Sequence, residues 1–449
     1  MDRTKELETQ KISKLIFAYS IPAITGMIIS SVYNIIDRIF IGNCPELGKD
    51  GIAGITVAFP VIIVLMAIFF LFGQGGTILF SIKLGEKKRE DAQEILSSIF
   101  IVLLTSGIIS MTLGLVFTDP LLKIFGATGT VLPFARQYLQ VFLLGSIFQS
   151  MSLGLNNLVR ADGHPKIAMT TLMIGVAINI VLAPIFLYWF HWGMAGAALA
   201  TILGQSASAV WIVLHFTGKR CSVPIDFKKI KITFKFLIMI ASFGFPSFII
   251  QVANGIMNLV LNVSLVKYGG DLAIAAMGTV NSIATLMIMP EVGIAQGIQP
   301  IVGYNYGARK YDRVKKTLAG GIIFATCVVL VGYIITRLFP EAMIKMFNSD
   351  PDLVKLGSHA LVCWFIALPV VGFQIVGSNF FQTVGKAKTA ILLSMTRQII
   401  FLIPAILILG YLFGLDGIVY AAPFADISAA LTTGGFLFFT LKNLKETVK

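Results

Sequence analysis

The chain has 449 residues, of which 56% are hydrophobic and only 13% charged, with a mean hydropathy of +0.87. That charge content is about half of what a soluble chain of this size carries, which excludes a water-soluble enzyme or binding domain, and the short alternating segments of a membrane β-barrel are not the pattern. The net charge of +13 does not mark a nucleic-acid binder, because the basic residues gather in short connections between apolar runs.

The N-terminal stretch MDRTKELETQKISK is polar and mixed in charge. The apolar run after it is too long for a signal h-region and lacks a small-residue cleavage pattern, so it is read as a retained span. From there, apolar runs punctuated by Gly, Pro and charge predict twelve helices, at 14–42, 51–82, 94–118, 132–160, 165–190, 193–217, 234–268, 271–306, 314–338, 352–384, 386–411 and 415–442. Each is longer than the roughly 20 residues needed to cross a ~30 Å hydrocarbon layer. The expected fold class is an all-α polytopic membrane protein.

Span one contains VYNIIDRIFIG, with Asp37 inside an otherwise apolar run. A charge at bilayer depth costs ~2.5–3.5 kcal/mol on insertion scales, so it faces a cavity or a partner. Ser30, Asn34 and Asp37, spaced four and three, form one polar face, whereas Arg38 points about 100° away.

The connections on the side of the N-terminus carry Lys83, Lys87, Lys88 and Arg89, then Arg160 and Lys166, then the run from Lys219 and Arg220 to Lys235, then Arg309 to Lys316, then Lys386 and Lys388. The opposite connections are poor in Lys and Arg. Positive-inside topology therefore places both termini in the cytoplasm, which an even number of spans requires.

GKRCSVPIDFKKIKITF, after span six, is the longest basic connection and divides the chain into 1–218, a basic linker 219–233, and 234–449. The two parts are related. GQGGTILFSIKLGEKK at 73–88 overlies AQGIQPIVGYNYGARK at 295–310 with an offset of 222, matching Gln74 to Gln296, Gly75 to Gly297 and Gly85 to Gly307. The same offset pairs Asn157 with Asn379, Gly163 with Gly385 and Lys166 with Lys388; at 224, Pro22 meets Pro246 and Asn34 meets Asn258. Two parallel six-helix lobes around a central cavity follow, the repeat architecture of a transporter.

In the second half, Gln251, Asn254, Asn258 and Asn262 form one amide stripe on span seven. Such a seam serves either a cavity wall or hydrogen bonding between helices. Glu291 follows Pro290 in span eight, where a proline bends the helix and frees a carbonyl. Arg397 is the basic residue deep in a span, and pairing with an intramembrane acid would neutralise it. Asp426 sits near the middle of span twelve, with Gln205 as its repeat counterpart. Met287 offers a soft, adaptable wall, or plain packing. Glu291, Asp426, Gln205, Gln251, Asn254, Asn258 and Met287 are the candidate substrate-cavity residues.

Cys44, Cys221, Cys327 and Cys363 lie far apart, as do His164, His191, His215 and His359, so neither a disulfide framework nor a zinc spacing is visible. No phosphate loop and no H-E-x-x-H motif occurs. The chain is expected not to be an enzyme and to hold no cofactor. Transport would draw on an ion gradient.

VYNIIDRIFIG, PEVGIAQGIQPIVGYNYGARK, VRADGHPK and the twelve-span duplication together resemble the multidrug and toxic compound extrusion (MATE) family, nearest its bacterial MepA-like multidrug export branch, over essentially the whole chain. The resemblance implies a secondary antiporter in the bacterial plasma membrane. It would export cationic amphipathic drugs in exchange for H⁺ or Na⁺ by alternating access, as a functional monomer. The family's cation site maps onto Asp37, with Asn34 beside it, Asn179 in span five and Thr201 in span six, and its bending proline onto Pro22. A second family acid, four residues after Asn179, is replaced by Ala183 before Pro184, which favours H⁺ and leaves Na⁺ at Asp37, Asn179 and Thr201 open. Two other readings are a lipid-linked substrate flippase of the same superfamily, which needs a basic cavity, and a membrane-embedded receptor without transport.

Overall fold

The computed structural model describes residues 4–443 apart from 43, 45, 46, 128, 130, 219, 220, 348 and 349. The expected basic positions Lys219 and Arg220 therefore lie outside the described residues, as do the side chains of Asn34 and Arg38. Every regular element among the described residues is helical.

Among the described residues, nine helices are long and apolar enough to cross a membrane, and two bent pairs, Leu132–Leu144 with Ser146–Ala161 and Pro351–Trp364 with Leu368–Thr383, make eleven. The last of these, Ala387–Asn443, runs for 57 residues. At 1.5 Å per residue it would extend about 85 Å, far more than one ~30 Å crossing needs. Gly414 breaks it with φ 62° and ψ −136°, a conformation that only glycine adopts without strain. Gly270 breaks Phe234–Gly307 in the same way, at φ 63°. The Gly270 break is already counted in the eleven, where Phe234–Gly270 and Leu272–Gly307 stand apart, and dividing Ala387–Asn443 at Gly414 gives the twelve expected spans.

The duplication is written into the backbone. The span-four pair bends by 60° and the span-ten pair by 52°, at Gly145 and at the equivalent Ala367. Lys87 and Arg309, 222 residues apart, both adopt positive φ, at 62° and 60°; so do Gly163 and Gly385, at 90° and 78°. The short helices Thr118–Ile124 and Pro340–Lys345 start at the same offset.

The chain forms two compact units: residues 1–10 with 25–251, and residues 11–24 with 252–449. The first part of span one thus packs with the second half, and the first part of span seven with the first half. In unit 1, a Cβ at Gly75 would lie 2.1 Å from the Ile240 carbonyl oxygen, and one at Gly244 1.7 Å from the Leu71 carbonyl oxygen. In unit 2, a Cβ at Gly297 would lie 2.7 Å from Ser20 Cα, and one at Gly293 2.8 Å from Ile24 Cα. Gly75 and Gly297 are repeat partners, and so are Gly244 and Ser20, so both units contain the same backbone-close crossing with its first helix donated by the other half of the chain. Small residues let membrane helices approach this closely.

Unit 1 is filled by a core around Ile62, Phe69, Leu139, Leu143 and Leu187. Unit 2 has one core around Val280, Leu361 and Ile418 and another around Ile294, Leu318 and Phe381. Outward residues are apolar as well: Leu431 is 73% and Phe438 68% exposed, the surface that lipid rather than water would cover.

Between the units' sequences, the described part of the linker is anchored on unit 1. Ser97 and Ser98 accept the backbone N–H groups of Asp226 and Lys231 at 2.9 and 3.0 Å. Burial, with the charge of Asp162 adding, pushes the Cys221 thiol up to about 11, and the thiol donates to the Gly218 carbonyl at 3.2 Å.

The glycine crossing is tested by Gly75→Val. Overpacking two backbones in contact is expected to destabilise the protein by about 1–3 kcal/mol. Gly435, with nothing within 4 Å of an added Cβ, serves as the control, and Gly435→Ala should leave the thermal midpoint in detergent unchanged or raised.

Candidate functional site

Two polar clusters occur inside the spans, one in each unit. The first is built on span one, Ile12–Gly42, which stays helical through Pro22. Asp37 is half-buried. Tyr33 lies four residues before it on the same face and close enough to feel its charge. Asn179, buried on span five, donates from Nδ2 to the Tyr33 hydroxyl at 3.2 Å and to Thr201 Oγ1 at 3.0 Å. Thr201 gives its own proton to the Ala197 carbonyl at 3.2 Å, so in its 3.4 Å contact with Tyr33 the phenol is the donor.

Asn179 and Thr201, distant in sequence, thus meet at the Tyr33 hydroxyl, one helical turn before Asp37. Tyr33 was not among the sequence candidates. Its signal was its i−4 spacing from Asp37, hidden because a tyrosine in an apolar run passes for core. Asn34 falls on the same helix, but its side chain lies outside the described residues. The cluster supplies one carboxylate and several neutral oxygens. A carboxylate exchanges a proton readily; a hard cation wants several oxygen ligands at once. Ala183 adds none, being fully buried in an apolar cluster with Phe186 and Ala200.

The second cluster lies in unit 2. A π-helical turn, Thr396–Leu402, interrupts span eleven and carries Arg397 and Gln398. Arg397 Nε donates to Asp426 Oδ1 at 2.6 Å, and Gln398 Nε2 donates to Asn254 Oδ1. Asp426 is nearly fully buried. Glu291 is completely buried, within range of the charges of both Arg397 and Asp426, and neither of its carboxyl oxygens has a hydrogen-bond partner among the described residues. Arg397 thus pairs with Asp426, and Glu291 is a second buried acid to which it makes no hydrogen bond.

The remaining cavity candidates are distributed. Asn254 and Asn258 belong to unit 2, where Asn258 Nδ2 donates to the Asn254 carbonyl at 2.9 Å; Gln251 is the last residue of unit 1. Met287 packs against Gly332 in the larger core of unit 2. Gln205 is half-buried on span six. One sequence inference needs correcting: the histidines are not all isolated, since His164 and His215 converge on Asp162.

The profile of the MatE family matches residues 22–185 and 246–408, one copy in each half. The chain belongs to the MATE family. A multidrug export protein MepA of Staphylococcus haemolyticus is 28% identical over 440 residues, covering 97% of this chain and 95% of that one. The MATE multidrug transporter DinF-BH, solved as a ligand complex, is 33% identical with a TM-score of 0.89, covering 97% of both chains. A MATE structure in complex with MaL6 is 25% identical with a TM-score of 0.93, over 98% of this chain and 99% of that one. This MATE protein is therefore a multi-pass membrane transporter of the multidrug efflux class, and not an enzyme.

The buried ion pair yields a stability prediction. Arg397→Met strands the buried Asp426 and should cost about 3–5 kcal/mol, read by denaturant unfolding in detergent. Adding Asp426→Leu should recover most of the loss, because removing both partners of a buried pair is nearly neutral.

Proposed function

We propose that this transporter exports cationic amphipathic drugs in exchange for protons, with Asp37 as the coupling acid. The observation that carries the reading is the half-buried Asp37, one helical turn from the Tyr33 hydroxyl on which Asn179 and Thr201 meet. The MepA relatives, named as multidrug export proteins, and DinF-BH, described as a multidrug transporter, support drugs as cargo. The single carboxylate, with Ala183 where a second would stand, supports H⁺ over Na⁺.

Ionised Asp37 favours the state that accepts a cationic drug. Protonation removes that charge, and span one bends at Pro22, where the missing N–H weakens the helix. Pro22 stands just before the point at which span one passes from unit 2 to unit 1. Proton and drug need only differ in affinity for the two states; a ligand without preference shifts neither. The protein works as a monomer in the bacterial plasma membrane, both termini in the cytoplasm, with no bound cofactor. Glu291, Asp426, Asn254, Asn258, Gln251, Gln205 and Met287 are proposed as the residues that meet the cargo or tune its cavity. The flippase reading fares worse, because Asp426 neutralises Arg397 and leaves it unsuited to a pyrophosphate head group.

The test is uptake of a fluorescent cation into inverted vesicles under an imposed pH or Na⁺ gradient. The wild type should accumulate the dye with the pH gradient alone, and Asp37→Asn, inserted at normal levels, should lose that accumulation. Gradient-driven uptake that persists in the variant would overturn Asp37 as the coupling acid; uptake that requires Na⁺ would overturn the choice of proton.

A further inference from the structure

His164 and His215 stand 51 positions apart, with no metal-ligand motif between them. Folding brings both rings onto one carboxylate. Asp162 Oδ2 lies 3.1 Å from His164 Nδ1 and 3.3 Å from His215 Nε2, and all three ligand atoms fall within 4.8 Å of one another. Asp162 is fully buried, and the two histidines are at most 8% exposed. The rings meet edge to face at 4.8 Å.

The carboxylate is also fixed from behind. The backbone N–H of Ser222 donates to both of its oxygens, at 3.0 and 3.1 Å, and that of Val223 to Oδ1 at 3.2 Å. Ser222 Oγ donates to the Asp162 carbonyl at 3.1 Å. A further contact sets His164 Nδ1 3.0 Å from that same carbonyl. Backbone groups that orient a ligating carboxylate are the usual support of a metal site.

Two descriptions compete. In one, each imidazole simply donates an N–H to Asp162, and the group is a hydrogen-bonded knot. In the other, the nitrogens present lone pairs to an ion. Zinc bonds of 2.0–2.1 Å in tetrahedral geometry give ligand-to-ligand edges of about 3.3 Å. The two nitrogen–oxygen edges match that length, and the longer one exceeds a good N–H···O distance, while the nitrogen–nitrogen edge, within 4.8 Å, is the one that closes when an ion binds. Two imidazoles with one carboxylate suit Zn²⁺, Co²⁺ or Ni²⁺ and not Mg²⁺ or Ca²⁺, which prefer an all-oxygen shell.

We propose that Asp162, His164 and His215 form a binding site for a divalent transition metal of the zinc class, separate from the polar clusters in the spans. The ion would join four pieces of unit 1: the end of span four, the start of span five at His164–Pro165, the last turn of span six, and the linker at Ser222–Val223. It would hold the linker on the first half before the chain enters span seven.

The test uses the full-length protein purified in detergent through a tag without histidine, stripped with a chelator and titrated with Co²⁺. The wild type should show saturable visible absorption bands that Zn²⁺ abolishes. His164→Asn and His215→Asn should each weaken Co²⁺ binding by at least about tenfold. His359→Gln, which removes an exposed His–Asp pair elsewhere, should change nothing. Absence of saturable binding in the wild type, or binding that survives both single substitutions, would overturn the site and leave the knot. The wild-type titration decides the matter even if a variant fails to fold.

Discussion

The whole arrangement depends on two backbone-close crossings. In each unit, the glycine-bearing second span of one half receives the first span of the other half: Gly75 against Ile240 and Gly244, and Gly297 against Ser20. No side chain fits between these helices, so the contact is made by backbone atoms and small side chains. In a membrane, where lipid is as apolar as a leucine side chain, such close packing supplies much of the attraction between helices. The result is that spans one and seven are each divided between units, at Ile24/Thr25 and at Gln251/Val252. A change at Asp37 therefore acts on a helix whose first part is held by Gly293 and Gly297 of the second unit, and Pro22 lies between the two attachments.

The two halves descend from one pattern but solve the problem of buried charge differently. In unit 1, a phenol, an amide and a hydroxyl, all neutral, hydrogen-bond to one another one helical turn before Asp37. In unit 2, Arg397 compensates Asp426 directly and stands near Glu291. Loss of either partner would strand a charge in a dry environment, which is far costlier than the pair itself. Neutral neighbours are the better setting for a group proposed to gain and lose charge. A paired environment is the better setting for a fixed polar feature of a wall.

Much of this was legible beforehand, because its causes are local. Span limits follow from hydropathy, and the duplication from a constant offset, down to the paired positive-φ turns at Lys87 and Arg309. Asp37 was visible because a carboxylate among Ile and Phe demands an explanation. Other features depend on what meets across the fold. The unit membership of residues 11–24 follows from a glycine contact on a helix some 270 residues away in sequence. Tyr33 has an apolar body, and only its hydroxyl partners reveal its role. Arg397 was legible as an unpaired cation, but the π-helical turn at Thr396–Leu402 shifts the helical register, so a 3.6-residue period misplaces the faces of Arg397 and Gln398. The meeting of His164 and His215 on Asp162 is likewise a product of folding, since only the D-x-H spacing of the first pair is sequential.

The departure at Ala183 from the pattern of the family sharpens the argument about ions. Position 183 is apolar and fully enclosed by Phe186 and Ala200, so no compensating carboxylate has been moved there from a neighbouring turn. A monovalent cation at Asp37 would have to draw further ligands from hydroxyl oxygens whose lone pairs are already in use: Thr201 Oγ1 accepts from Asn179 and Tyr33, and the Tyr33 hydroxyl accepts from Asn179. Recruiting them means breaking those bonds in a low-dielectric setting, where each unmade bond is costly. A proton needs none of them. It binds to one carboxylate oxygen and can leave the Tyr33–Asn179–Thr201 ties in place. The local chemistry thus favours a coupling ion with the fewest ligand requirements.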